Sequence, residues 1–284
     1  MNQSINTLFT IPERSPRKSA EDVEAVVNYL IPPLGRNAVH VVPVGTGEPG
    51  RTAEYAPTPA AIRDGRAAGS ANTLDGTGFA LARQVSAMAD FNDDDEVHAV
   101  YYPEMENLVR DATGASSVVV FDHNVRTDGG IVASNSRVPV RIVHNDYTEK
   151  SGPQRVQALL GERRAVKLLR RRFAIVNVWR SIAGVVRTAP LAVIDARSVR
   201  SSDLVPTDLV YPDRVGEIYE VAGNPSHRWH YFPKMEEEEV LLIKGYDSRG
   251  DVARFTPHSA FDHPDTPTDA PPRRSIEIRS LVFF

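Results

Sequence analysis

The feature that most constrains the fold is a series of short β-type runs after residue 115, with few helical segments between them. The runs are rich in Val, Ile and aromatic residues and are separated by turn-forming residues, as is typical of strands. Many short strands favour a sandwich, a barrel or a jelly roll over a parallel sheet. We therefore predict a mainly β fold with flanking α-helices, with strands at residues 116–123, 138–147, 173–182, 190–196, 217–222, 227–233, 239–247 and 275–284.

The first third of the chain has a different pattern. Prolines 12 and 16 predict an extended arm over residues 1–18, and the spacing of apolar residues predicts a helix from Ser19 to Leu30. Residues 45–80 are rich in Gly, Ala, Thr and Pro, which indicates a long irregular segment. Further helices are predicted from an Asn92-Asp93 cap to Ala112, with a kink at Pro103, and over residues 152–172.

No linker divides the chain, so we predict one domain over residues 1–284. Its N-terminal part, residues 1–115, is expected to be helical and irregular, and residues 116–284 are expected to form the β core.

Composition excludes several classes of function. The chain has no cysteine, which rules out disulfides, thiolate metal sites and iron–sulfur clusters. The net charge of −4 gives no general attraction to nucleic acid or to anionic lipid. We find neither a signal-peptide pattern nor an apolar stretch of membrane-spanning length. The expectation is a cytoplasmic protein that binds neither nucleic acid nor membrane.

The motif that indicates chemistry is His144-Asn145-Asp146, at the end of a predicted strand. Strand alternation places His144 and Asp146 on the same face as Val140 and Ile142. Two ligands on one face supply part of the two-His, one-carboxylate set of non-haem iron enzymes. A second H-x-D, at His263 and Asp265, shows that the motif alone is weak. A third ligand is expected from a later strand, and the candidates are His227, His230, His258 and His263.

The last predicted strand gives independent support. Its apolar face contains Ile276 and Ile278, and its polar face contains Arg273, Ser275, Glu277 and Arg279. An Arg and a Ser two positions apart suit a carboxylate, which the guanidinium can bind through two hydrogen bonds. We predict that Arg273 and Ser275 bind such an anion. We also expect Arg279 to pair with Glu277.

The ordered set of H-x-D, a later His and R-x-S resembles the Fe(II)/2-oxoglutarate-dependent dioxygenases. The longer motifs HNDYT, SGPQRV, NVWRSI, PLAVIDARS, HRWHYFP, FTPHSAF and RSIEIRSLVF resemble the AsaB-like, CmcJ-like hydroxylases and desaturases of natural-product pathways. The resemblance covers residues 90–284 well and the first 90 loosely. It departs at Arg274, where an acidic residue is expected, and the Arg274 side chain should point away from the metal.

The resemblance implies a double-stranded β-helix, or jelly roll, that binds Fe(II), 2-oxoglutarate and O2. It makes His144, Asp146 and His258 the iron ligands, and Arg273 with Ser275 the residues that hold 2-oxoglutarate. The implied reaction decarboxylates 2-oxoglutarate to succinate and CO2 and oxidises a small natural-product or amino-acid-derived substrate. Hydroxylation, desaturation and cyclisation all remain open, and a homodimer is plausible within the family.

Four further residues are candidates for contact with the substrate. Asn177, Trp179 and Arg180 occupy a strand expected to line the barrel, and Tyr231 lies in an aromatic segment that is equally compatible with packing. Two rival functions remain. A cupin-like hydrolase or isomerase would use the same three ligands with zinc or manganese but would not need Arg273 and Ser275. A non-catalytic sensor of 2-oxoglutarate or another small ligand would not need an intact set of ligands.

Overall fold

A computed structural model describes residues 22–42, 50–67, 69–129 and 136–284, and the predicted arm at 1–18 lies outside them. The described residues form two sheets. In order across the larger sheet, the strands are β1 (Val23–Leu30), β4 (Tyr55–Asp64), β13 (Trp229–Tyr231), β10 (Leu191–Ile194), β15 (His258–Ala260), β8 (His144–Asn145), β12 (Val215–Val221), β11 (Leu204–Val210), β2 (Asn37–His40) and β3 (Gly50–Arg51). The smaller sheet contains β5 (Phe79–Arg83), β14 (Glu239–Asp247), β9 (Phe173–Ser181), β16 (Arg274–Phe283), β6 (Ser117–Thr127) and β7 (Ser136–Arg137).

The two sheets pack face to face as a jelly roll, as predicted. Between them, Trp179 of β9 and Leu241 of β14 pack against Leu191 and Val193 of β10. The opposite face of the smaller sheet is also covered, because Val176 and Val178 pack against a helix. Every residue of β9 is therefore buried, and its sequence combines six apolar residues with the buried polar residues Asn177, Arg180 and Ser181.

The helix that covers the smaller sheet matches the prediction at both ends. The Asp93 side chain accepts hydrogen bonds from the backbone N–H groups of Asp95 and Glu96, and Gly114 ends the helix in a left-handed conformation. The segment consists of α1 (Asp94–Glu96), a π-helical turn (Val97–Tyr101) and α2 (Tyr102–Thr113). The irregularity thus comes just before Pro103.

The predicted helix at 152–172 is confirmed as α3 (Ser151–Leu160) and α4 (Glu162–Leu168), separated at Gly161. No helix in the described ranges has the length and apolarity that a membrane span requires.

The predicted helix from Ser19 to Leu30 is wrong over its described part, which is strand β1. All eight residues of β1 pair antiparallel with β4, and burial alternates so that Ala25, Val27 and Tyr29 point inward. Val residues at helical spacing also suit a strand, since β-branched side chains favour extended backbone. Residues 23–30 form a strand and not a helix because they pair with β4, which lies further along the chain.

The predicted irregular segment at 45–80 is wrong in part. It contains β3, the start of β5 and the ten-residue strand β4, while residues 43–49 and 68 lie outside the described part. Strand β4 includes Pro57 and Pro59. On one edge of β4, both prolines lie opposite residues of β1. On the other edge, β13 pairs only with Ile62, Arg63 and Asp64, so it does not reach the prolines. A proline is tolerated in a strand where its missing N–H faces an unpaired side.

The predicted strand at 138–147 is shorter than expected. Only His144 and Asn145 form a strand, and Ile142 makes an isolated bridge with Asn28. Pro139 cannot donate a ladder hydrogen bond, which favours irregular backbone before Ile142. Most of the other predicted strands are present within a few residues of their predicted bounds.

Two neighbouring valines of β1 test its assignment. Val27 is 1% exposed and Val26 is 51% exposed. Val27→Ala removes two buried carbons and should lower the free energy of unfolding by about 1–3 kcal/mol. Val26→Ala should change it by less than about 0.5 kcal/mol. Urea denaturation of both variants measures the difference, and equal effects would contradict the inward orientation of Val27.

Candidate active site

Three predicted ligands meet on the inner face of the larger sheet. His144 of β8 lies directly opposite His258 of β15, and Asp146 follows just after β8. The His144 Nε2 atom is 3.6 Å from Asp146 Oδ1, and the two imidazole centroids are 4.6 Å apart. One donor atom from each of the three residues lies within 4.8 Å of the others. This separation allows all three to bind a single metal ion.

Backbone contacts orient both imidazoles. The Nδ1 atom of His144 is 2.8 Å from the Ile142 carbonyl oxygen, and Nδ1 of His258 is 3.1 Å from that of Thr256. Nδ1–H therefore donates in each ring, which leaves the Nε2 lone pair for a metal. Burial, together with the neighbouring His258, lowers the pKa of His144 to about 3. The His144 ring is consequently neutral at physiological pH, as a ligand must be.

The Asp146 carboxylate is held through only one of its oxygens. Its Oδ2 accepts hydrogen bonds from Asn177 Nδ2 at 2.8 Å and from Arg279 Nε at 2.9 Å. Burial alone would raise the pKa of Asp146, but the Arg279 charge and both histidines hold it below its usual range. The Asp146 carboxylate is thus ionised, and its Oδ1 atom faces His144.

Arg279 joins this carboxylate to two more acids. Its Nη2 donates to Glu277 Oε1 at 3.0 Å, which confirms the predicted pairing, and its Nη1 is 3.3 Å from Asp122 Oδ2. These negative charges raise the pKa of Arg279 despite its burial. Asn177 Nδ2 also lies 3.2 Å from Glu277 Oε1. The polar face predicted for the last strand is therefore a buried network around Asp146.

Arg273 and Ser275 lie on the same face of the last strand segment, near Arg126 of β6. Arg273 is 4% exposed and donates from Nη1 to the Ala189 carbonyl. Its Nε and the Ser275 Oγ are buried and have no hydrogen-bond partner among the described residues. Arg126 pairs with Ser275 across the sheet. Burial and the nearby Arg126 lower the pKa of Arg273 to about 9, as expected for a cation without a carboxylate partner.

One pocket connects the metal-binding cluster with these guanidinium groups. His144, His258, Arg126 and Arg273 all line it, and the Arg273 guanidinium carbon lies 5.4 Å from the centre of the Trp179 ring. The other lining residues are the apolar Val140, Leu191 and Ala260 and the charged Glu277 and Arg279. A metal ion bound by the histidines and an anion bound by the guanidinium groups would therefore face the same cavity.

The predicted substrate residues have different outcomes. Trp179 lines the pocket, whereas Asn177 binds Asp146 instead of facing open space. Arg180 points to the other face of β9, where it donates to the Gln84 carbonyl at 2.7 Å, so its prediction as a pocket residue is wrong. Tyr231 is likewise turned away, because it packs with Trp229 and Phe261 behind the larger sheet and contacts His263. Strand alternation accounts for both errors.

Sequence reasoning missed Arg126 and Asp122. The strand at 116–123 was predicted to end before Arg126, whereas β6 continues to Thr127. A check for alternation beyond His123 would have placed Val125 and Thr127 on one face and Arg126 on the other. The structure confirms the orientation expected for Arg274, whose Nη2 donates to Asn92 outside the pocket.

The fold and the pocket define a class. Two imidazoles and one carboxylate on the inner wall of a jelly roll are the donor set of non-haem iron oxygenases. A family model described as an oxidoreductase/YMDC permease-like domain matches residues 27–283.

Curated relatives narrow the assignment. The chain is 34% identical over 256 residues to the hydroxylase/desaturase efuI of Hormonema carpetanum, covering 81% of this chain and 85% of the relative. It is 34% identical over 251 residues to the Fe(II)/2-oxoglutarate-dependent dioxygenase nvfI of Aspergillus novofumigatus, covering 84% and 88%. A solved structure of the iron and alpha-ketoglutarate-dependent endoperoxidase NvfI matches with a TM-score of 0.83 and 28% identity, over 94% of this chain and 99% of that one.

The chain belongs to the Fe(II)/2-oxoglutarate-dependent dioxygenase family of hydroxylases and desaturases. It is an enzyme that uses Fe(II), 2-oxoglutarate and O2 to oxidise a small molecule. The predicted family, fold and cofactors are thereby confirmed.

The same substitution at two buried arginines should have opposite effects on stability. Arg279→Met leaves Asp146 and Glu277 without their cation, and we expect it to lower the free energy of unfolding by about 3–5 kcal/mol. Arg273→Met removes a buried cation that has no carboxylate partner, so stability should be unchanged or rise by about 1–2 kcal/mol. Urea denaturation of the metal-free protein measures both, and a large loss for Arg273→Met would refute this account of the site.

Proposed function

We propose that His144, Asp146 and His258 bind Fe(II) and that Arg273 and Ser275 bind the C5 carboxylate of 2-oxoglutarate in the same pocket. The enzyme would then hydroxylate, desaturate or cyclise a small natural product or amino-acid derivative. One observation carries this proposal. Two buried hydrogen-bond donors, Arg273 Nε and Ser275 Oγ, have no partner in the described chain. Arg273 lines the same pocket as His144 and His258, and Ser275 pairs across the sheet with Arg126, which also lines it.

The three ligands fit iron chemically. Each histidine offers Nε2 because its Nδ1 contacts a carbonyl, and Asp146 offers Oδ1 because its Oδ2 is occupied. A set of two imidazoles and one carboxylate without thiolate suits octahedral Fe(II). Three ligands on one side of the ion leave positions for 2-oxoglutarate and O2.

Arg273, Ser275 and Arg126 fit the distal carboxylate of 2-oxoglutarate. A buried guanidinium without a carboxylate partner is costly unless a ligand supplies the counter-charge. A carboxylate would accept hydrogen bonds from the two unpartnered donors, and Arg126 would add a further positive charge. These residues favour the oxygenase over the rival cupin-like hydrolase, which has no use for a second anion. The complete ligand set favours it over a sensor.

The protein's own part in the reaction is binding, orientation and exclusion of water. When bound, Fe(II) and 2-oxoglutarate together supply the oxidising power from O2, with release of succinate and CO2. Arg273 and Ser275 orient the co-substrate along the pocket, and Asn177 and Arg279 keep Asp146 turned toward the metal. The apolar wall formed by Val140, Leu191 and Ala260 keeps water away from the reacting C–H bond.

Further predictions accompany this function. The names of relatives point to fungal biosynthesis, including an aspirochlorine biosynthesis protein from Aspergillus oryzae, which supports a secondary metabolite as the substrate class.

We propose a single oxygenase domain, because strands from residues 23–64 and from residues 191–231 belong to one sheet. A cytoplasmic location, a homodimer and the lack of nucleic-acid or membrane partners stay predictions.

The co-substrate site can be tested without knowing the substrate. Anaerobic addition of Fe(II) and then 2-oxoglutarate should give the visible charge-transfer band of the chelate. Arg273→Ala should raise the 2-oxoglutarate concentration for half-saturation by at least about 30-fold, equivalent to about 2 kcal/mol. Arg274→Ala is the matched control, because that side chain faces Asn92. Iron binding without any band would favour the cupin-like rival, and an unaltered requirement in Arg273→Ala would move the anchor elsewhere.

The iron ligands can be tested by comparing the two H-x-D motifs. His144→Ala and His258→Ala each remove one of three ligands and should abolish measurable Fe(II) binding and turnover. His263→Ala alters the second motif, where His263 contacts Tyr231 away from the pocket, and should retain both. Iron content after anaerobic dialysis provides the measurement. Retained turnover in either of the first two variants would reject the assignment.

A further inference from the structure

A second group of metal-binding side chains lies outside the pocket and consists of Asp94, His98 and His123. One donor atom from each lies within 4.8 Å of the others, which is the same compactness as the active-site group. The Asp94 Oδ1 atom is 3.2 Å from His123 Nε2, and Asp94 Oδ2 is 3.4 Å from His98 Nδ1. Two ligands of one zinc ion in tetrahedral geometry are about 3.3 Å apart. The carboxylate and the His123 imidazole therefore already have the spacing of a shared ion.

Two elements that are distant in sequence build this group. Asp94 and His98 lie one turn apart at the start of the helical segment, and His123 lies on β6 beneath it. The π-helical turn Val97–Tyr101 includes His98, and such turns are frequent at functional sites. The side chains of Asp94 and His98 are 68% and 52% exposed, so a hydrated ion can reach them.

A neighbouring tyrosine orients the strand histidine. The Oη atom of Tyr102 is 2.9 Å from His123 Nδ1, which directs Nε2 toward Asp94. The Tyr102 ring also lies against the His98 ring, with centroids 4.5 Å apart. A hydrogen bond to the second nitrogen of a histidine is how proteins usually orient metal-binding imidazoles. The Nδ1 atom of His98 is also 2.6 Å from the Asp94 carbonyl oxygen, so an Nδ1–H that donates to it leaves the Nε2 lone pair available for a metal ion.

This group is separate from the active site. Asp122, the preceding residue, contacts Arg279 on the pocket side of the smaller sheet. His123 points to the helix side, where it meets Tyr102 and His98. The sheet thus lies between the two groups, and a ligand at one does not share donors with the other.

We propose that Asp94, His98 and His123 bind a divalent transition-metal ion of the zinc class, which joins the start of the helix to β6. Two imidazoles and one carboxylate, with water in the fourth position, are a common ligand set for zinc. Imidazole donors make this site selective against Mg²⁺ and Ca²⁺, which prefer oxygen ligands. The site is additional to the iron centre of the proposed function and does not depend on it.

The test is the zinc stoichiometry of the full-length, untagged, metal-free chain, measured by equilibrium dialysis and metal analysis. Because zinc also suits the active-site ligands, His258→Ala serves as the background that removes that site. We expect two zinc ions for the unaltered chain, one for His258→Ala and none for His258→Ala combined with His98→Ala. Adding His40→Ala to the background is the matched control for loss of an exposed histidine and should leave one ion bound.

Thermal unfolding gives a second readout. Zinc should raise the unfolding midpoint of His258→Ala, because the ion binds only the folded arrangement of helix and strand. It should not raise the midpoint once Asp94→Asn or His98→Ala is added. Both changes are at exposed positions and should leave folding intact. Absence of zinc binding by His258→Ala, or an unchanged stoichiometry after either substitution, would overturn the proposal.

Discussion

The arrangement of the active site depends on how the buried Asp146 carboxylate is compensated. An ionised carboxylate taken out of water is stable only if opposite charge and hydrogen bonds replace its hydration. Arg279 and Asn177 supply both, and they do so at Oδ2 alone. The same two contacts therefore stabilise the charge and turn Oδ1 toward the histidines. The stability and the orientation of the Asp146 carboxylate therefore have one physical cause.

The smaller sheet separates two environments that the enzyme needs. One face carries Val176, Val178 and their neighbours, which pack under α2. The other face of the same strands carries Asn177, Glu277 and Arg279 toward the pocket. Because successive residues of a strand point to opposite sides, a single strand contributes to both. Strand β9 is therefore buried throughout, and β16 is buried after Arg274, although both carry charged residues.

The two buried arginines Arg273 and Arg279 are compensated differently. Arg273 is buried with one backbone acceptor and no carboxylate, although nearby Arg279 is paired with three acids. Two arginines on one strand thus have opposite energetic roles. The paired one supports the folded state, and the unpaired one is explained best by a ligand that completes it.

Local patterns in the sequence were sufficient for much of this protein. The i, i+2 spacing of His144 and Asp146, the alternation from Arg273 to Arg279 and the cap at Asp93 all depend on near neighbours along the chain, and the structure bears out these arrangements. Tertiary structure decided the rest. Strands β1 and β4 exist because they pair with each other, and Asn177 binds Asp146 across 31 positions of sequence. The bounds and the register of the strands determine the side of the sheet to which the side chains of Arg126, Arg180 and Tyr231 point. Pairing between distant segments sets which face is buried, and no local periodicity contains that information.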